Sequence, residues 1–115
     1  MNFQVGSALL DACVLANVSD SDVYGYSLTQ SLKDVINISE STLYPVLRRL
    51  QSDNLLTVYD SPFQGRNRRY YRITDAGKQR LTDYANDWRE FVARVNHILS
   101  KGGASDEQRT ISEGA

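Results

Sequence analysis

Apolar positions follow a helical period through most of this chain and switch to a period of two over one short stretch. Leu43, Val46, Leu47 and Leu50 recur at i, i+3, i+4 and i+7, the spacing of one buried helical face. Ser41, Tyr44, Pro45 and Arg48 fall on the far side of that helix, with Thr42 and Arg49 flanking. Hydroxyls, an aromatic ring and guanidinium groups are the groups that contact phosphates and base edges. Ser39 is the expected N-cap, and Glu40 lies favourably near the positive end of the helix dipole. Pro45 falls early, so the helix is expected to begin nearer Ser41 or to kink. Asp53-Asn54 is the expected stop, because asparagine tolerates the left-handed conformation just past a helix. Residues 56–59 and 69–73 are rich in β-branched and aromatic side chains and read as strands. Residues 61–67, with Pro62, Gly65 and Arg66, read as a flexible basic loop too long for a two-residue turn.

The flanking segments complete the pattern. Residues 3–18 read as a helix that Leu9, Leu10, Cys13, Val14 and Ala16 make apolar around much of its girth. Such a helix needs cover on more than one side, from the rest of the domain and from a second subunit. Asp20, Ser21 and Asp22 offer N-caps for a second helix over 24–35, with Leu28 and Leu32 facing inward. Ile36 and Ile38 are expected to form a short strand that pairs with the wing. Thr74-Asp75 caps a last helix reaching about Ser100. In it Leu81, Tyr84, Trp88, Phe91, Val95 and Ile98 step by 3, 4, 3, 4, 3, a heptad seam. At ~1.5 Å per residue that helix is about 39 Å long, more than three short helices and a wing can cover. Its seam is therefore expected to bind a second copy rather than to serve as a core face. From Gly102 onward the apolar period stops, and a disordered tail is expected.

The expected fold is mainly α with a small β-hairpin. It is a winged helix-turn-helix over residues 1–73, followed by a dimerisation helix at 74–100 and a tail at 101–115.

Charge changes the picture through its placement. The net charge is −1 over 115 residues, which alone does not suggest a polyanion partner. Residues 41–80, however, hold eight of the 13 basic side chains and three of the 14 acidic ones. A local positive surface of this kind steers a polyanion while the remainder keeps the protein soluble. The single cysteine, Cys13, excludes an internal disulfide and is expected to pack as a small hydrophobe. No apolar run is long enough for a membrane span, so no membrane partner is expected and the cytoplasm is the expected compartment. One His and one Cys far apart do not make a metal site. No glycine-rich phosphate loop or nucleophile elbow is present. Neither a cofactor nor an enzyme activity is expected.

The chain resembles the PadR family of bacterial transcriptional regulators, in particular its short subfamily without a separate C-terminal domain. The resemblance runs from about Leu9 to Leu99. It is carried by Tyr24-Gly25-Tyr26, by Thr42-Leu43-Tyr44-Pro45 with Leu47 and Arg49-Leu50, and by the run from Gly65 to Thr74 followed by Ala76-Gly77. It implies a homodimeric repressor whose third helix enters the major groove of double-stranded DNA at an inverted-repeat operator. The wing then touches flanking backbone, and the first and last helices form the dimer. In a multidrug-sensing member of the subfamily a tryptophan on the last helix lines a pore at the dimer interface. Trp88 corresponds to it here, which implies a planar aromatic small molecule as effector.

The candidate DNA-binding residues are therefore Ser41, Thr42, Tyr44, Arg48 and Arg49 on the third helix, and Arg66, Asn67 and Arg68 at the wing tip. Tyr24 and Ser27 are candidates for phosphate contacts from the second helix. Arg49 has the alternative role of tying its helix to the wing. Tyr70 and Tyr71 point to opposite sheet faces, so one is core and the other is free to bond a phosphate. Tyr84, Trp88, Phe91 and Val95 form the effector-binding region or the dimer seam. Two other readings stay open: a winged module that docks an acidic protein partner, and a DNA-binding sensor set by stress rather than by a ligand.

Overall fold

The computed structural model describes residues 6–102. The expected tail beyond Gly102, and the start of the first helix at residues 3–5, lie outside the described residues. The elements in chain order are α1 (Ser7–Asn17), β1 (Val23–Tyr24), α2 (Gly25–Ile36), α3 (Glu40–Ser52), β2 (Leu56–Phe63), β3 (Arg66–Ile73) and α4 (Asp75–Lys101). The chain forms two compact units, the first ending at Thr82 and the second beginning at Asp83. The first turns of α4 belong to the first unit, because Gly77 is buried there and Leu81 packs on its core.

The core of the first unit is aliphatic. Val14 and Leu15 from α1 and Val18 just past its end, Leu28 and Leu32 from α2, and Leu43, Val46, Leu47 and Leu50 from α3 meet Leu55, Leu56 and Ile73 at the base of the wing. All four residues of the expected α3 stripe are buried. Ser39 caps α3 as expected, its hydroxyl accepting from the Thr42 N–H at 3.3 Å. The helix starts at Glu40 and carries Pro45 inside it. It ends as expected: Asn54 takes φ 62°, and the Leu55 N–H closes on the Leu50 carbonyl at 2.9 Å.

Three expectations are corrected. The short third strand is Val23–Tyr24, not the segment around Ile36 and Ile38; Val23 pairs with Tyr71 and Tyr24 with Tyr70. Asn37 takes a left-handed φ of 56° as the C-cap of α2. The chain thus turns straight from α2 into the Ser39 cap, and Ile36 and Ile38 pack against the core instead. The α2 N-cap is Tyr24, which makes no side-chain cap bond, and Asp22 is engaged elsewhere.

The third correction concerns the wing. Residues 61–67 are not a loop. β2 and β3 pair from Leu56↔Ile73 out to Phe63↔Arg66, leaving a two-residue turn at Gln64-Gly65. Both turn residues have positive φ, 50° and 80°, the requirement of a type I′ hairpin. Pro62 is tolerated because β2 is an edge strand in the order β1-β3-β2. Phe63 and Arg66 flank the turn as the hydrogen-bonded pair, so position 62 is a non-bonded one whose missing N–H would face away from β3.

Candidate nucleic-acid interface

The outward face of α3 carries short hydroxyls and long polar side chains. Ser41, Thr42, Tyr44 and Arg48 are all exposed. The Ser41 and Thr42 hydroxyls each lie 3.0 Å from the Ser39 hydroxyl, a small cluster at the N-terminus of the helix. Backbone N–H groups and the dipole at that end favour an anion. Ser27 on α2 is exposed as well.

Arg49 departs from its expected roles. Its Nη1 and Nη2 donate to the two carboxylate oxygens of Asp11 on α1, at 2.8 and 2.6 Å. This bidentate bond pushes the Arg49 pKa further up, the Asp11 hydrogen bond being the largest cause. Arg49 ties α3 to α1, not to the wing. Asp11 escaped the sequence reading although it carries the one charge in the first 18 residues. A lone carboxylate inside an apolar helix was the available signal.

The wing has two unlike faces. Ile73, Tyr71 and Leu56 face the helices, and burial raises the pKa of Tyr71. Tyr71 is thus the core member of its pair. Tyr70 stands on the outer face between Tyr24, with centroids 5.9 Å apart, and Tyr59, stacked at 5.6 Å with planes 14° apart. Arg68 continues this row. Its guanidinium carbon lies 3.8 Å from the Phe63 ring centroid and 4.4 Å from that of Tyr24. Cation–π contacts on two sides hold this arginine in place. Arg66 and Asn67 at the tip are exposed. Tyr24, Phe63, Gln64, Arg66, Asn67 and Arg68 line an open cavity of about 440 Å³.

The other end of the row is closed by Asp22. It accepts from the Tyr59 hydroxyl at 2.6 Å and from Arg72 Nη2 at 2.9 Å. Arg72 also lies 5.1 Å from the Tyr59 ring centroid. Tyr59 and Phe63 were not singled out in the sequence, and Asp22 was expected only as a helix cap, because their roles depend on strand register across the sheet.

Within the second unit, the α4 ring of Trp88 lies 6.4 Å from that of Phe91, tilted by 40°. Both are exposed, as are Ile98 and Leu99, while Tyr84 and Val95 are half-buried. Among the described residues, no group of three His, Cys, Asp or Glu side chains gathers to hold a metal, and no helix is long and apolar enough to cross a membrane.

A capped helix with an exposed hydroxyl and guanidinium face, followed by an arginine-tipped β-ribbon, defines a winged-helix DNA-binding protein. Residues 14–83 match the family model described as the transcriptional regulator PadR-like family. The chain belongs to that family of transcriptional regulators, which are not enzymes. It is 42% identical over 83 residues to the transcriptional regulator Rv3488 of Mycobacterium tuberculosis, covering 71% of this chain and 78% of that one. Its fold is similar to that of smu.1704 from Streptococcus mutans, with a TM-score of 0.79, 34% identity, and 93% and 100% of the two chains covered. It is similarly close to a PadR-like transcriptional regulator from Bacillus cereus, with a TM-score of 0.73, 33% identity, and 79% and 91% covered.

Proposed function

We propose that this protein is a homodimeric, cytoplasmic repressor that binds an inverted-repeat operator and is released by a planar aromatic compound. The observation that carries the DNA-reading part is the exposed face of α3, where Ser41, Thr42, Tyr44 and Arg48 stand clear of the aliphatic core. Tyr44 and Arg48 suit base edges. Ser41, Thr42, Ser27 and Tyr24 suit phosphates near the α2 and α3 N-termini. Arg66, Asn67 and Arg68 suit the backbone beside the major groove. Arg49, spent on Asp11, is left out of this set. Tyr70, the outward member of its pair, suits a phosphate through its hydroxyl, since stacking within the outer-face row engages only the faces of its ring.

Dimerisation is supported by the apolar stripe of α4, where Trp88 is 42% exposed, Phe91 57% and Ile98 65% in the single chain. Rings and aliphatic side chains exposed at heptad spacing call for a second helix of the same kind. A twofold pair of reading helices demands half-sites ~34–36 Å apart, or a multiple of that. Repression then needs only occupancy of a promoter. A planar aromatic compound between two Trp88 rings would release the operator only if it prefers a dimer whose reading helices are wrongly spaced.

The test is selection of duplexes from a randomised pool by the wild-type protein, followed by anisotropy titration at several salt concentrations. Recovery of an inverted repeat with half-sites one turn apart supports the reading. Recovery of no sequence preference, with a monomer in sedimentation, overturns it.

A further inference from the structure

The bond between Asp11 and Arg49 raises a question that the family assignment leaves unanswered. Asp11 is buried at 8% exposure between Leu10 and Ala12, in a helix that otherwise packs apolar side chains. A carboxylate there is costly unless paired, and its partner Arg49 stays 41% exposed, so the pair is open to water on one side and adds little stability. Stability is therefore a weak reason for placing a carboxylate here. Geometry supplies a better one. The α3 stripe of Leu43, Val46, Leu47 and Leu50 is aliphatic and non-directional. Close packing of such side chains seats α3 against α1 and α2, but it contains no directional bond that locks the helix against small rotations about its own axis. The two-point fork from Arg49 to Asp11, at 2.8 and 2.6 Å, is directional and fixes that rotation. Arg48 is the next residue on the helix, roughly 100° around it. At a side-chain radius of ~5–6 Å, a rotation of ~10° moves the reading face by about 1 Å. A binding constellation is already loosened by ~0.5 Å or 10–20°.

We propose that Asp11 is a positioning residue for DNA reading: through Arg49 it sets the rotation of α3 and so the placement of Tyr44 and Arg48. This rests on the DNA-reading role of α3 given above. The proposal has a sign that a direct DNA contact lacks. Asp11→Asn removes a negative charge and loosens a guanidinium, so electrostatics alone should strengthen binding to any duplex. Positioning demands the opposite for the selected duplex.

The experiment compares a duplex selected by the wild-type protein with a scrambled duplex of equal length, at fixed salt. For Asp11→Asn we expect unchanged or higher affinity for the scrambled duplex. The selected one should lose roughly tenfold or more, about the effect of one mismatched base pair. Selected and scrambled affinities rising together would make Arg49 a direct contact, and no change in a folded variant would make the pair merely structural; either overturns the proposal. Should Asp11→Asn fold poorly, the apolar double variant Asp11→Leu with Arg49→Met keeps the packing. It is expected to melt at or above the wild-type temperature while losing the same discrimination, and intact discrimination overturns the proposal. Amide exchange reads the fork without DNA. In Asp11→Asn, protection should fall at residues 46–52 of α3 and stay unchanged in α2. Unaltered α3 protection overturns the proposal even if the wild-type protein selects no duplex, whereas a selective wild type with a failed fork leaves the DNA reading intact.

Discussion

Arg72 of β3 and Asp22 of the loop before β1 hold each other across 50 positions of sequence, with Arg72 Nε and Nη2 at 3.1 and 2.9 Å from the same carboxylate oxygen. That oxygen also accepts from Tyr59, so one carboxylate joins the loop to both wing strands. Arg72 first, then Tyr59, hold the Asp22 carboxyl below its ordinary 3.8. A depressed carboxylate pKa stabilises the fold above the unfolded value and loses that effect as pH falls through the folded value. Wild type should therefore melt above Asp22→Asn at neutral pH, and the gap should close as pH drops below 3.8. At high pH the same bond works in reverse. The Tyr59 pKa is raised above 10.0, so its contribution is present below that value and fades as pH rises through the higher folded one. Parallel thermal melts across the acid range check this; a gap that persists at the lowest pH means the carboxylate charge is not what joins the loop to the wing.

The junction between the wing and α4 leaves no room for a side chain at position 77. A Cβ there would sit 2.7 Å from Ile73 Cγ1 and closer still to the Leu55 carbonyl oxygen. The same corner is tied by Thr74, whose hydroxyl donates to the Asn54 carbonyl at 2.7 Å and accepts from the Gly77 N–H at 3.0 Å. Gly77→Ala should destabilise by ~1–3 kcal/mol through overpacking against backbone. At ~4–8 °C per kcal/mol for a domain of this size, the melting temperature should drop by several degrees or more. Chemical denaturation gives the free energy directly. An unchanged midpoint would mean the start of α4 is free to shift outward.

Helix periodicity made α2, α3 and α4 legible, because a stripe every three or four residues needs no knowledge of partners. The Asn54 stop and the Ser39 cap were legible for the same reason: their chemistry is local. Register was not. The outer part of the wing, residues 61–67, looked like a loop because Pro62 and Gly65 are turn formers in isolation; only the edge position of β2 tolerates Pro62, and only the left-handed backbone at Gln64-Gly65 closes the hairpin. The choice between Tyr70 and Tyr71 was likewise undecidable, since it depends on which sheet face the helices cover. Arg49 misled for a related reason. Its place at the border of the apolar stripe suits a DNA contact and an interhelical bond equally, and its partner lies 38 residues away.

Arg66 and Arg68 should act through phosphate, and Tyr44 and Arg48 through sequence. Replacing Arg66 and Arg68 together by Ala should weaken all duplexes alike and lower the salt slope by up to ~2, about one for each lost phosphate contact. Arg68 should matter beyond its charge, because it is held between Phe63 and Tyr24. Arg68→Lys is thus expected to recover only part of the loss, since a lysine is a flexible point charge. Tyr44→Ala or Arg48→Ala should instead relax preference at particular base positions, by ~1–3 kcal/mol for a bidentate contact. Titrations of matched and mismatched duplexes at several salt concentrations separate the two patterns. Uniform affinities across both sets of variants would remove α3 and the wing from the interface.

Trp88 offers a direct optical test of the proposed effector site, since it is the single tryptophan of the chain. It stands in the middle of α4, 42% exposed and tilted against Phe91 at 6.4 Å. In a twofold dimer formed through this stripe, two indoles approach each other across the axis. A flat aromatic ring entering between them gains ~0.5–1.5 kcal/mol per stacked pair beyond the area it buries. To release DNA tenfold it must also favour the non-binding dimer by ~1.4 kcal/mol, which lies within the usual range of coupling energies. Titration with planar aromatic cations and with phenolic acids should therefore quench or shift the emission saturably, and the same concentrations should lower affinity for the selected duplex. At protein concentrations that keep it dimeric, Trp88→Ala should still bind DNA while losing its sensitivity to the compound. It should also weaken the dimer roughly tenfold or more, as removal of a buried aromatic anchor does. Unchanged emission across the panel, with DNA binding intact in its presence, would leave Trp88 as packing between the subunits. The signal that releases the operator would then have to act somewhere other than this seam.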